Sequence, residues 1–211
     1  MTSRTRTRTR RPNRAEKREA NRVRILRAAR KVFGARGFHA ATIEEIAEEA
    51  GLSNGAIYYN FDSKGDLFFA LLQERQDERI RHMRATLARP ARAGGRDVAL
   101  EEEARDATRG LKESREWRLL LFEFAAHAAR TPSLAPKLRE HKRRFRAALA
   151  ELIAQRLAER GIEPPISTEE LGLAVLALAD GLAFEEVSDP GCVPGELLGD
   201  LLALLVGRRS P

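Results

Sequence analysis

Between Thr42 and Lys64 the chain runs TIEEIAEEAGLSNGAIYYNFDSK. The spacing of its apolar and capping residues predicts two short helices, a tight turn between them, and the start of a third. Thr42 places a hydroxyl at the first helix start and Glu45 follows three positions later, the pairing of a capping box. Gly51 ends that helix, because the chain must enter the left-handed region there and glycine does so without a Cβ clash. Ser53 caps the second helix, whose first turn carries Asn54, Gly55 and Ala56. Ser63 caps the third, with Asp66 as its partner. Ile43, Ile46, Ala47, Ala50, Leu52 and Ile57 recur at helical spacing and supply a small core.

Two helices set steeply around such a turn form a helix-turn-helix, which presents its second helix to the DNA major groove. The flanks extend the pattern. Upstream, a helix from about Ala15 to Arg36 is expected, with Ile25, Leu26, Ala29, Val32 and Phe33 on its apolar face and Gly37 as its stop. Phe38 then packs back into the small core. Downstream, the helix after Ser63 turns Leu67, Phe68, Leu71 and Leu72 inward and continues, highly charged, to about Ala88. A helix that leaves one core and enters another is a mechanical connector.

The stretch from Arg22 to Leu72 resembles the DNA-binding domain of TetR-family transcriptional regulators. The resemblance rests on RILRAARKVFGARGFHAATI, IAEEAGLSNGAIYYNF and DSKGDLFFALL, and above all on the run YYNF followed after one residue by Ser63-Lys64. Many members carry His where this chain has Asn60, which can still donate to a phosphate. The resemblance implies phosphate or sugar contacts for Tyr58, Tyr59 and Asn60, and a phosphate contact for Lys64. The residues themselves suggest the rest. Asn54 carries an amide that can pair with both edge groups of adenine. Gly55 and Ala56 permit close approach, and the Ala56 methyl suits a thymine methyl. Thr42 is a further phosphate candidate beyond its cap role, and Ser53 completes the candidate DNA-binding set. The plainer reading of each also stands: the caps serve with or without DNA, one tyrosine ring belongs partly to the core, and Ile57 and Phe61 are core.

Composition fits this reading. The 211 residues are 43% hydrophobic and 33% charged, rich in Ala, Leu, Arg and Glu, which favours an all-α protein. No apolar run approaches the about 20 residues that span a bilayer, and no apolar segment follows the basic N-terminus, so neither a membrane span nor a secretory signal is expected. Cys192 is the only cysteine, which excludes an internal disulfide and fits a cytoplasmic setting. The net charge of +7 is unevenly placed. Residues 1–24 hold ten bases against Glu16 and Glu19, a balance of +8, and the remaining 28 bases and 29 acids balance to −1. The low-complexity start TSRTRTRTRRPNR is read as a disordered arm over residues 1–20, either a solvated tail or a segment that tracks phosphates. A DNA-binding domain over 21–81 and an effector-binding and dimerisation domain over 82–211 complete the division.

Beyond a break at Pro90 and Gly94-Gly95, five more helices are expected, giving about nine in all. They cover about 97–109, 114–130, 132–160 with a bend near Pro136 and an end at Gly161, 168–187 and 196–206. Family members use the interior of this region as a pocket for a small effector. Trp117, Leu121, Phe122, Phe124, His127 and Phe145 are the candidate lining residues, against the plain alternative that they are core. The last two helices are apolar on more than one face, so they need partners on several sides. Leu173, Leu176, Leu182, Leu198, Leu201 and Leu205 are the candidate dimer interface, and the family solution is a four-helix bundle built from two copies. A two-fold dimer would present two recognition helices and select a palindromic operator in double-stranded DNA.

Enzymatic readings have no support in the sequence. No nucleophile elbow, phosphate-binding loop, dinucleotide fingerprint or zinc-protease motif occurs, and His39, His82, His127 and His141 share no metal-ligand spacing. No cofactor is expected. The expected function is a homodimeric repressor released by a small-molecule effector. An activator or dual regulator on the same fold stays open, because operator position decides the sign. So does a less specific architectural protein driven by the basic arm. Removing residues 1–20 separates the last of these, since a specific regulator would keep its sequence preference with a shallower salt slope.

Overall fold

The computed structural model describes residues 13–87 and 115–205. Among these the chain forms α-helices and no strand: α1 (Arg14–Ala40), α2 (Ile43–Ala50), α3 (Asn54–Asn60), α4 (Lys64–Leu87), α5 (Arg115–Arg130), α6 (Ala135–Arg160), α7 (Thr168–Ser188) and α8 (Leu197–Leu205). The helix expected over 97–109, the break at Pro90 and Gly94-Gly95, and residues 1–12 of the arm lie outside the described residues. The chain divides into two compact units, Met1–Leu71 and Leu72–Pro211. The division falls at 71/72 rather than 81/82 because α4 changes environment there. Its first turns bury Leu67, Phe68 and Leu71 in the N-terminal core, whereas Arg75 and Arg79 already meet rings of the second unit.

The N-terminal unit is built on caps and three phenylalanines. Asn13 and Glu16 form a capping box that starts α1, with the Glu16 N–H donating to Asn13 Oδ1 at 2.8 Å and the Asn13 N–H to Glu16 Oε2 at 2.8 Å. The helix expected from about Ala15 thus begins at Arg14, and residues 14–20, which the bounds of the arm also took in, are its first turns. Gly37 has φ 77°, and the chain kinks there within the span of α1, at the predicted stop. Phe38 turns back so that its ring stacks on Phe33 at 5.9 Å and meets Phe68 of α4 edge-on at 5.5 Å, while Phe33 meets Phe68 at 5.1 Å. Ile25, Ala29, Ile46, Ile57 and Leu67 fill the remaining interior.

The second unit packs α5 to α8 with the rest of α4. Leu134 precedes α6 and Pro136 sits in its first turn. No bend follows from that proline: the first-turn N–H groups have no intrahelical partner, so the missing donor costs nothing there. Gly161 ends α6 in the left-handed region with φ 62°, as expected. Gly172 of α7 lies so close to α6 that an added Cβ would stand 3.4 Å from the Ala150 backbone nitrogen and Cβ. Ser167 and Glu170 cap α7 with a second instance of the Ser/Thr-x-x-Glu pattern. Ala183 and Leu198 form a buried pair between α7 and α8, covered by Phe122, Leu178, Ala179, Leu182 and Leu202. No described helix is long and apolar enough to cross a membrane.

Candidate nucleic-acid interface

Helix α2 is fixed at both ends. Thr42 Oγ1 accepts from the Glu45 N–H at 3.2 Å, and the Thr42 N–H donates back to Glu45 at 3.1 Å. At the other end Gly51, with φ 61°, donates to the Glu48 carbonyl, and the Leu52 N–H reaches the Ala47 carbonyl at 2.9 Å. Arg24 of α1 adds a side-chain clamp: its Nη2 donates to the Ala50 carbonyl at 2.7 Å and to that of Gly51 at 3.3 Å. The turn into α3 is thus held by backbone and by α1 together.

Ser53 starts α3, accepting from the Ala56 N–H at 3.3 Å. The helix is seven residues long and buries Ile57 completely, with Phe61 just beyond it also buried. Its other face is open. Asn54 and Gly55 are exposed, and Tyr58 and Tyr59 each leave more than half their surface in solvent, at 54% and 55%. Neither tyrosine is core. Asn54 Nδ2 donates to Glu44 of α2 at 3.4 Å, a long bond that a better acceptor can replace. Asn60 folds back, its Nδ2 donating to the Ala56 carbonyl of its own helix at 2.7 Å. At Gly55 nothing in the fold demands glycine: a Cβ there would meet only Ser53 Oγ, at 3.8 Å.

Lys64 is turned inward rather than out. Its Nζ donates to the carbonyls of Ala41 at 2.8 Å and His39 at 3.1 Å, and stands 4.8 Å from the centre of the Phe38 ring. A cation in the first turn of a helix opposes the helix dipole. The carbonyls around the α1 terminus compensate, so in this structure Lys64 joins α4 to the end of α1. Two of the four acids of α2 are matched by bases of α1, Glu45 by Arg36 at 2.8 Å and Glu49 by Lys31 at 2.9 Å. These exposed pairs add little stability, but they reduce the negative charge beside α3.

Three arginines of α1 were not among the residues singled out from the sequence. Besides Arg24, the Arg18 guanidinium lies 5.4 Å from the centre of the Tyr59 ring and that of Arg22 lies 5.1 Å from Phe61. The signal was present as bases four residues apart, and the capping pattern at Asn13 and Glu16 shows that they share a helix.

Of the candidate effector residues, Phe122 lies apart from Trp117 and Phe124. Trp117 and Phe124 are buried on one face of α5, and Arg75 of α4 lies 4.5 Å from the centre of the Trp117 ring. Phe145 is half-buried with Arg79 at 5.3 Å. Phe122 departs from the expectation: it packs on the other side of α5, edge-on to Phe184 of α7 at 5.4 Å and against the Ala183–Leu198 pair. Leu121 is half-buried, and so is His127, whose carbonyl accepts from Thr131 Oγ1 at 2.8 Å. Of the candidate dimer residues, Leu173 is exposed, and Leu176, Leu182, Leu201 and Leu205 are half-buried. Leu198 does not belong with them, since it is buried inside its own chain against Ala183. Phe184 and Leu204 are also exposed on these helices.

Known proteins share this architecture. The family model described as bacterial regulatory proteins, tetR family, matches residues 25–71, and that described as BetI-type transcriptional repressor, C-terminal, matches residues 105–208. The transcriptional regulator UidR of Escherichia coli is 28% identical over 177 residues, covering 81% of this chain and 84% of UidR. The transcriptional activator FasR of Mycolicibacterium smegmatis is 42% identical over 70 residues, which is 33% of this chain and only 32% of FasR. Among solved structures, Salmonella enterica GusR superposes with a TM-score of 0.65 at 27% identity, covering 89% of this chain and 95% of GusR. The open face of α3, the clamped turn before it and these likenesses lead to one assignment: the chain belongs to the TetR family of bacterial transcriptional regulators, and is a regulator rather than an enzyme.

Proposed function

We propose that the protein is a homodimeric repressor that docks α3 in successive major grooves of a palindromic operator and is released by a small-molecule effector. The observation that carries the DNA reading is the two-faced α3: Ile57 is fully buried while Asn54, Tyr58 and Tyr59 stand in solvent. An amide at the N-terminal turn suits a base edge, and phenol hydroxyls beyond it suit phosphates. Dimerisation is supported by the apolar surface that α7 and α8 leave uncovered at Leu173, Phe184 and Leu204. Release requires an effector that binds two states of the protein unequally, with α4 as the element that carries the difference to the DNA-binding unit. Repression is supported by the description of the matching C-terminal family model. A role on bacterial DNA supports a cytoplasmic setting.

Titration of a selected operator at fixed salt tests the contact assignment. Asn54→Ala is expected to lower operator affinity and relax preference at one base pair, by about 1–3 kcal/mol. Tyr58→Ala is expected to weaken operator and scrambled DNA alike. Unchanged affinity for both variants would contradict this reading of α3. A second reading, activation, is favoured by one finding: FasR, similar over the DNA-binding segment, is named an activator. Reporter expression with the operator placed upstream of, or within, a promoter distinguishes the two.

A further inference from the structure

The start of α1 buries no apolar residue of its own in the N-terminal core. The first buried residue of the helix is Ile25, so Arg14–Arg24 extends about 16 Å beyond the core at the helical rise. A helical segment without apolar burial is marginal by itself. What holds it is the Asn13–Glu16 cap and three arginines: Arg18 on the Tyr59 ring, Arg22 on the Phe61 ring, and Arg24 on the carbonyls ending α2. Every one of these partners, the cap excepted, belongs to the helix-turn-helix. Arg14, Arg18 and Arg22 recur every four residues and so form one stripe, with Lys17 beside it. Bases in the first turns oppose the helix dipole, so stability does not explain them. Arg14, Lys17 and Arg18 are exposed, and the chain before Asn13 adds Arg4, Arg6, Arg8, Arg10 and Arg11.

We infer that the first turns of α1 form a second DNA-binding surface, which holds phosphates flanking the half-site read by α3. The inference rests on the regulator reading above. Arg18 is the positioning link: stacked on Tyr59, it ties the basic stripe to the exposed face of the recognition helix. The occupant is duplex DNA, because the stripe is uniformly cationic, carries no exposed apolar anchor beyond Val23, and adjoins the helix proposed to enter the major groove. The contacts add affinity and register without reading bases.

Anisotropy titrations of the full-length protein test this with two duplexes, one trimmed to the operator edges and one extended by about ten base pairs, one helical turn, on each side. On the extended duplex, Arg14→Ala/Lys17→Ala/Arg18→Ala is expected to bind about tenfold more weakly, with a log-affinity against log-salt slope shallower by about three per protomer. On the trimmed duplex the gap between variant and wild type should narrow to the part that Arg18 contributes through Tyr59, and the preference for operator over scrambled sequence should persist. Lys17→Ala alone, at an exposed position, should lower the slope by about one per protomer and guards against a folding defect in the triple variant. Equal slopes and affinities on the extended duplex would overturn the inference and point to another acidic partner. A wild-type protein with no operator preference would instead sink the regulator reading, and salt slopes on random-sequence duplexes would still decide the second surface.

Discussion

Gly55 separates the demands of folding from those of binding better than any other residue of the interface. It lies in the first turn of α3, is exposed, and an added methyl would meet nothing closer than 3.8 Å. Glycine in a helix costs about 0.8–1.0 kcal/mol relative to alanine. Gly55→Ala is therefore expected to hold or raise the thermal midpoint while operator affinity falls, because the backbone can no longer approach a groove wall as closely. Melting curves and titrations on the same sample check it, and a variant that binds as well as wild type would remove Gly55 from the interface. Thr42, Ser53 and Ser63 were legible as helix-start caps because capping is a local rule of three-residue spacing. Lys64 was not, since its partners at His39 and Ala41 lie more than twenty positions away in sequence.

At the scale of elements, helix ends were readable where glycine or a capping pair marked them, as at Gly37, Gly51 and Gly161. Which way a helix turns its large residues was less so. In α5 the apolar residues are dense enough that both Trp117 and Phe122 are candidate pocket residues, yet they pack on different neighbours, Arg75 of α4 and Phe184 of α7. Only tertiary packing resolves such a helix. Within α6, burial holds His141 below its ordinary value of 6.5 to about 4, with Lys142 adding repulsion and Asp77 opposing it. The folded protein thus resists a proton that the unfolded chain accepts, so stability present above about pH 6.5 is lost as pH falls towards about 4. His141→Gln is expected to flatten the fall in thermal midpoint between about pH 7 and about pH 4, the range spanning its two values. The same fall in both proteins would assign the loss to other groups.

For the whole molecule, the apolar surface of α7 and α8 is the feature that one chain leaves unexplained. The sequence made it visible as helices apolar on several faces, but not which residues face outward: Leu198 turns in, whereas Leu173, Phe184 and Leu204 turn out. Leu173→Glu/Leu204→Glu should yield a monomer by light scattering, with operator affinity reduced because a single α3 reads only one half-site. A variant that stays dimeric would move the interface elsewhere. The central claim, that a dimer reads a two-fold site through α3, is tested most directly by selecting bound duplexes from a random library with the full-length protein at about 0.15 M salt, where exposed charges are largely screened. The account predicts enrichment of a palindrome whose half-sites are spaced by a whole number of helical turns, about 10 base pairs each. Recovery of unenriched DNA would contradict it, and would leave the Arg-rich start of the chain as the main source of binding.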